Sequence, residues 1–101
     1  MVACKIIWSH KANIKLFQIL EFYSDRNKSA TYSKKIFRKF KKELSLLKTQ
    51  PELGIKTDQE LIRGLIVDEF ILFYEATTEA IIVHSVWDCR QNPQNLIIRK
   101  R

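Results

Sequence analysis

The side chains with chemistry to offer are Arg63, Arg90, His84, Tyr74 and the cationic run from Lys34 to Lys42. Arg63 suits either of two roles: lining a phosphate or partner site, or pairing with Glu60, Asp68 or Glu69 to hold the local structure, as ion pairs often do. Arg90 stands in the polar stretch Asp88-Cys89-Arg90-Gln91-Asn92-Pro93, a loop of the kind where functional residues gather. An unperturbed imidazole titrates near pH 6.5, so His84 has the chemistry of a general base, but its place in the apolar run Ala80 to Trp87 favours a ring packed in a sheet. His10, next to a helix-capping Ser9, reads as a surface residue. Tyr74 can donate a proton, although an aromatic in a central strand is usually core; Trp87 reads as core or as the rim of an interaction surface. The cations Lys34, Lys35, Arg38, Lys39, Lys41 and Lys42 are either a solvated face or a contact for a polyanion or acidic protein.

Composition limits what can position these groups. The 101 residues are 46% hydrophobic, enough for one compact core and one domain spanning 1–101. Two Trp, three Tyr and six Phe supply bulky core pieces, and only two Gly and two Pro argue against a loop-rich or disordered chain. The net charge of +7 favours association with a polyanion or acidic protein. Cys4 and Cys89 have no CxxC or Cys/His ligand spacing, so neither a disulfide framework nor a zinc site is suggested, and no metal or cofactor is expected. The stretch Met1 to Trp8 is too short and lacks the small-residue cleavage site of a secretion signal, and no later run has the apolar length of a membrane helix. A cytoplasmic protein without membrane contact is expected.

The hydrophobic spacing supplies the elements. Residues 3–8 suit a strand, and Ser9 then caps a helix in which Ala12, Leu16, Ile19, Leu20 and Tyr23 form one apolar stripe to about Ser24. Asp25-Arg26-Asn27-Lys28 reads as a short polar link, and Ser29 as the cap of a second helix beginning at Ala30. There Ser33, Ile36, Phe37, Phe40, Leu44 and Leu47 keep helical spacing, with the cationic run opposite; Pro51 and Gly54 end the segment. Leu61 to Val67, Glu69 to Glu75 and Ala80 to Trp87 are rich in β-branched and aromatic residues, and their short links predict an antiparallel meander. The expected class is α+β: an N-terminal strand, a helical hairpin, then a three-stranded antiparallel meander, with the hairpin across one face of the sheet.

This order, together with several local pieces, resembles the RelE/ParE toxin superfamily over nearly the whole chain. The pieces are Ile7-Trp8-Ser9 with Ala12 and Ile19, Phe22-Tyr23, Pro51-Glu52-Leu53-Gly54, Ile62-Arg63-Gly64-Leu65, Phe70-Ile71-Leu72-Phe73-Tyr74, and Val86-Trp87-Asp88-Cys89-Arg90-Gln91-Asn92-Pro93. The resemblance implies a bacterial type II toxin that inhibits growth or stabilises a plasmid. It further implies neutralisation by a co-expressed cognate antitoxin that wraps an extended or helical segment around the toxin, with operator DNA reached only through that antitoxin. Two activities are implied: RelE-like members cleave messenger RNA in the ribosomal A site without metal, and ParE-like members inhibit DNA gyrase.

Metal-free RNA cleavage needs a base for the 2′-hydroxyl, cations around the phosphorane and a proton donor for the leaving oxygen. By the resemblance, the candidate nuclease residues are Arg63, Arg90 and Lys56, which lies where the nucleases carry Lys. Ile71 occupies the position of their mid-sheet Arg, and Leu96, Ile97 and Ile98 occupy the stretch of their C-terminal Tyr or His. That incomplete set favours gyrase inhibition, with a ribosome-dependent nuclease or a detoxified, antitoxin-binding remnant as alternatives. The residues expected to contact antitoxin or target are Arg90, Asn92, Trp87, Lys34, Arg38, Lys41 and Arg99.

Overall fold

Ser9 marks the change from strand to helix. Its backbone is extended (φ −63°, ψ 163°), and its hydroxyl accepts the Ala12 N–H while donating to the His84 carbonyl, both at 3.1 Å. One serine therefore caps the first helix and ties its start to a strand 75 residues away. The computed structural model describes residues 5–90. Before Ser9 lies strand β1 (Lys5–Trp8), and after it helix α1 (His10–Asn27).

Helix α1 buries Ala12, Leu16, Ile19 and Tyr23, the predicted stripe, with Leu20 partly covered. It runs three residues beyond Ser24, absorbing most of the expected polar link, and stops where Lys28 turns left-handed (φ 52°). Helix α2 (Thr31–Leu46) has Ala30, not Ser29, at its cap position; Ser29 still serves, because its hydroxyl accepts the Thr31 N–H at 3.1 Å. The helices are pinned where a small polar residue lets them close: Ser33 donates to the Leu20 carbonyl at 2.6 Å and accepts from Ser24 at 2.8 Å. Ser33, Ile36, Phe40, Leu44 and Leu47 are buried, whereas Phe37, expected with them, is partly exposed at the margin of the stripe with the Lys41 ammonium over its ring.

The expected meander is present as β3 (Arg63–Val67), β4 (Phe70–Ala76) and β5 (Ala80–Asp88), but the sheet has five strands in the order β1-β5-β4-β3-β2. The short β2 (Ile55–Lys56) adds one edge, antiparallel to β3. At the other edge β1 lies parallel to β5, from Lys5 opposite Ala80 to Trp8 opposite Val83. A parallel pair needs a long crossover, and the whole chain between the two strands provides it. Leu61 and Ile62 fall before β3 in a turn organised by Thr57, whose hydroxyl donates to the Ile62 carbonyl at 2.8 Å and accepts from the Gln59 N–H at 3.2 Å.

Phe70, Leu72, Tyr74, Ile81, Val83 and Val86 meet the helical stripes and form the core. One irregularity shapes the opposite face. Phe73 pairs with Ser85 but Tyr74 pairs with Val83, so His84 is the extra residue of a β-bulge. Core-facing Val83 and Val86 thus stand three residues apart, and both His84 and Ser85 turn to the face the helices leave open.

Candidate functional site

On that open side, β4 and β5 floor a groove of about 900 Å³, walled by Lys11, Ile14, Lys15 and Gln18 of α1 and closed by residues 57–62. The bulge brings His84 Nε2 to 3.0 Å from Glu75 Oε1 in this groove. The imidazole is therefore half-exposed and paired with a carboxylate, not packed within the sheet as its neighbours had suggested. Trp87 lines the same groove, and its indole N–H is buried without a hydrogen-bond partner among the described residues. Burying such a donor unpaired costs on the order of 1–3 kcal/mol, so the groove carries a donor in want of an acceptor.

Arg63 is spent at one end of the sheet. Its Nη1 donates to the Gly54 carbonyl at 2.9 Å and to the Glu52 carbonyl at 3.4 Å, and it makes none of the ion pairs with Glu60, Asp68 or Glu69 that its neighbours allow. Tyr74 braces the same turn: its hydroxyl accepts the Gly54 N–H at 2.9 Å and donates to the Pro51 carbonyl at 2.7 Å. Burial pushes the Tyr74 phenol above its ordinary value, the bond from Gly54 and the nearby Arg63 charge opposing that rise. Glycine is required at position 54, since a Cβ there would lie 2.7 Å from the tyrosine ring. Lys56 stands opposite Arg63 on β2 with its side chain exposed.

Arg90 is spent at the other end. Its Nε lies 2.6 Å from Glu69 and 3.9 Å from Asp88, and its Nη2 donates to the Tyr32 hydroxyl at 3.0 Å. The guanidinium also lies over three rings, with centroids at 4.6 Å (Tyr23), 5.3 Å (Phe70) and 5.8 Å (Tyr32). Desolvation works against its charge, but the Tyr32 bond and surrounding negative potential outweigh it and raise the pKa. Beneath it the fully buried Asp88 accepts from the Tyr23 hydroxyl at 2.7 Å and from the Arg90 N–H at 2.9 Å.

The two arginines do not converge. Arg63 is opposite Tyr74 and Asp88 is opposite Phe70, a separation of four residues along β4 or about 13 Å. Ile71 is buried on the open face between Ile66 and Trp87. Lys34, Arg38 and Lys41 project from the outer side of α2, exposed, while Lys39 is taken by Asp68 at 2.9 Å. Asn92 and Arg99, also expected at an interface, lie outside the described residues, as does Cys4. Cys89 is half-buried, and its thiol is pushed up by burial and by Asp88 and Glu69.

Sequence reasoning missed the His84 to Glu75 pair and the groove, because neither residue spacing nor hydropathy announces a bulge. It also passed over Ile14 and Phe17, apolar residues at i, i+3 off the buried stripe of α1, whose spacing was the available signal. They are 46% and 66% exposed. Among the described residues no cluster of His, Cys, Asp and Glu could hold a metal ion, and no helix is long and apolar enough to cross a membrane.

A helical hairpin on one face of a small mixed sheet, with its crossover closing β1 onto β5, defines a toxin fold of the RelE/ParE superfamily. Residues 6–93 match the family described as ParE toxin of type II toxin-antitoxin system, parDE, and the chain belongs to that family. The solved structure described as "Chromosomal ParDE TA system from P. aeruginosa" shares the fold, with a TM-score of 0.71 over 87% of this chain and 96% of that one, at 16% identity. No curated protein matches the sequence.

Proposed function

We propose that this ParE-family toxin arrests growth by binding DNA gyrase, not by cutting messenger RNA, and that a cognate antitoxin holds it in check. The observation that carries the proposal is the commitment of both candidate catalytic arginines. Arg63 is bound by main-chain carbonyls, Arg90 is stacked on three rings and paired with carboxylates, and about 13 Å of strand separates their positions. A phosphorane needs cations that meet at one point and are free to meet it. With purified gyrase, the toxin is expected to inhibit supercoiling at micromolar concentration; full activity there, with transcripts cut at codon boundaries in expressing cells, would reject the proposal. Harmless expression without antitoxin would identify the detoxified remnant instead.

The ribonuclease reading is favoured by one specific observation, the His84 to Glu75 pair in a groove flanked by Lys11 and Lys15. A carboxylate-oriented imidazole beside cations has the parts of a general base near phosphate. On that reading His84→Gln abolishes transcript cleavage; on the gyrase reading it leaves supercoiling inhibition intact.

The antitoxin's seat is proposed on the outer side of α1 and the adjoining groove. Ile14 and Phe17 offer apolar anchors, and the orphaned Trp87 N–H can be satisfied by a carbonyl of an incoming segment. Co-purification of the toxin with the product of the adjacent reading frame tests the partnership.

A further inference from the structure

Helix α2 concentrates the charge of the chain. It carries six cations, Lys34, Lys35, Arg38, Lys39, Lys41 and Lys42, and one carboxylate, Glu43, so its 16 residues account for five of the seven net positive charges. Asp68 neutralises only Lys39. The other five are exposed and make no ion pair with a described residue.

Their spacing decides what they can meet. At 3.6 residues per turn, Lys41, Lys34, Arg38, Lys42 and Lys35 fall within an arc of about 120°, diametrically opposite the buried Ile36, Phe40 and Leu44. Only Thr31 and Ser45 share the arc, so it contains neither a carboxylate nor an apolar side chain. From Lys34 to Lys42 the helix rises about 12 Å. The same length of duplex carries about seven phosphates, at one charge per 1.7 Å of axis.

We propose that the outer face of α2 binds duplex DNA through its phosphates, directly and without sequence preference. This departs from the expectation that the toxin reaches DNA only through its antitoxin, and it does not rest on the gyrase reading. Protein interfaces deplete lysine and need apolar anchors at their centre, and this arc has none. Interfaces with DNA are more polar and far more positively charged, which is what the arc offers. A single strand asks for open aromatic platforms among the cations, yet the arc holds no aromatic side chain, and Phe37, outside it, already has the Lys41 ammonium 5.3 Å from its ring centre. The major groove of B-form DNA admits a helix, whereas that of A-form RNA is deep and narrow, so the exposed face of a helix fits DNA better.

The test uses the full chain and a short fluorescent duplex of mixed sequence, with binding read by anisotropy across a salt series. Five phosphate contacts give a slope of log affinity against log salt of about −4.5. The triple variant Lys34→Gln, Arg38→Gln, Lys42→Gln is expected to shrink that slope by nearly three units and to weaken binding at least tenfold at low salt, with an unchanged thermal midpoint. Lys11→Gln with Lys15→Gln, in the groove, leaves the slope as it was, and a scrambled duplex binds equally. An unaltered slope in the triple variant, equal competition by an acidic polypeptide, or tighter binding of the matching RNA duplex would each overturn the proposal.

Discussion

The two helices of the hairpin solve the same burial problem inward and present opposite chemistry outward. Each lays an apolar stripe on the sheet, Ala12, Leu16, Ile19 and Tyr23 from α1, and Ile36, Phe40 and Leu44 from α2. Outward, α1 exposes Ile14, Phe17 and Phe22, whereas the outward arc of α2 carries Lys34, Lys35, Arg38, Lys41 and Lys42 with no apolar side chain among them, its exposed Phe37 and Leu46 lying outside that arc. Water accepts the second face without cost. It accepts the first only as a standing gain for whatever covers it, at roughly 25 cal/mol for each Å² of apolar surface. The difference teaches that one scaffold can present an apolar and a cationic outward face on adjacent helices, because the packing against the sheet is carried by the inward stripes and leaves the outward residues out of it.

The strongest way to break this comparison is to cut the clamp that both helices share. Asp88 takes the hydroxyl of Tyr23 on α1, and Arg90 beside it takes the hydroxyl of Tyr32 on α2. Asp88→Ala removes the acceptor of the Tyr23 hydroxyl and the Arg90 N–H and is expected to lower the free energy of unfolding by about 3 kcal/mol, read from urea midpoints. A loss below about 1 kcal/mol would mean that the helices are anchored independently of this corner.

Replacing Phe17 by Asp attacks the outward face of α1 alone. We expect antitoxin affinity to fall about 30-fold, on the order of 2 kcal/mol, while stability changes by no more than about 0.5 kcal/mol. Unchanged affinity in a calorimetric titration would move the antitoxin's seat elsewhere.

The far end of the sheet sharpens the contrast, because Tyr74 braces the turn after α2 without touching the shared clamp. Tyr74→Phe removes a hydroxyl that donates to the Pro51 carbonyl and accepts from the buried Gly54 N–H, at a cost of about 1–2 kcal/mol. The wild-type phenol is held above its ordinary value near 10 by burial. Its proton is therefore kept in the folded chain at a pH where the unfolded chain gives it up. Stability is full below about pH 10 and falls as pH rises from there toward the folded value. Thermal midpoints across pH 9 to 11 are expected to drop in the wild type, and the Tyr74→Phe variant to drop less steeply.

The smallest effect belongs to the outward face of α2. Neutralising Lys34 and Lys42 together is expected to change the free energy of unfolding by less than about 0.5 kcal/mol, since neither side chain makes an ion pair with a described residue. A destabilisation well above that value would show that the face serves the fold.

Much of the architecture was legible in the residues because burial repeats. The stripe of α1, the strand periods after Gly54 and the cap at Ser9 are local statements that hydropathy and capping chemistry make in any context. The three residues added to α1 and the shift of the cap from Ser29 to Ala30 are the ordinary imprecision of ends, where propensities are nearly balanced. The candidate site was far less legible. Arg63 and Arg90 could be named as cations near strands, but their partners are carbonyls of residues 52 and 54 in one case and three aromatic rings in the other. No spacing in the sequence specifies such contacts.

What the sequence determined by itself was the class of fold, the apolar faces, the cationic helix and the excess of positive charge, because each follows from residue type and a short period. Only the tertiary structure decided that β1 pairs in parallel with β5, that β2 extends the far edge, and that His84 is the extra residue of a bulge facing Glu75. Those outcomes depend on strand register and on packing between residues distant in the chain, and a shift of one position in β5 would turn His84 to the other face.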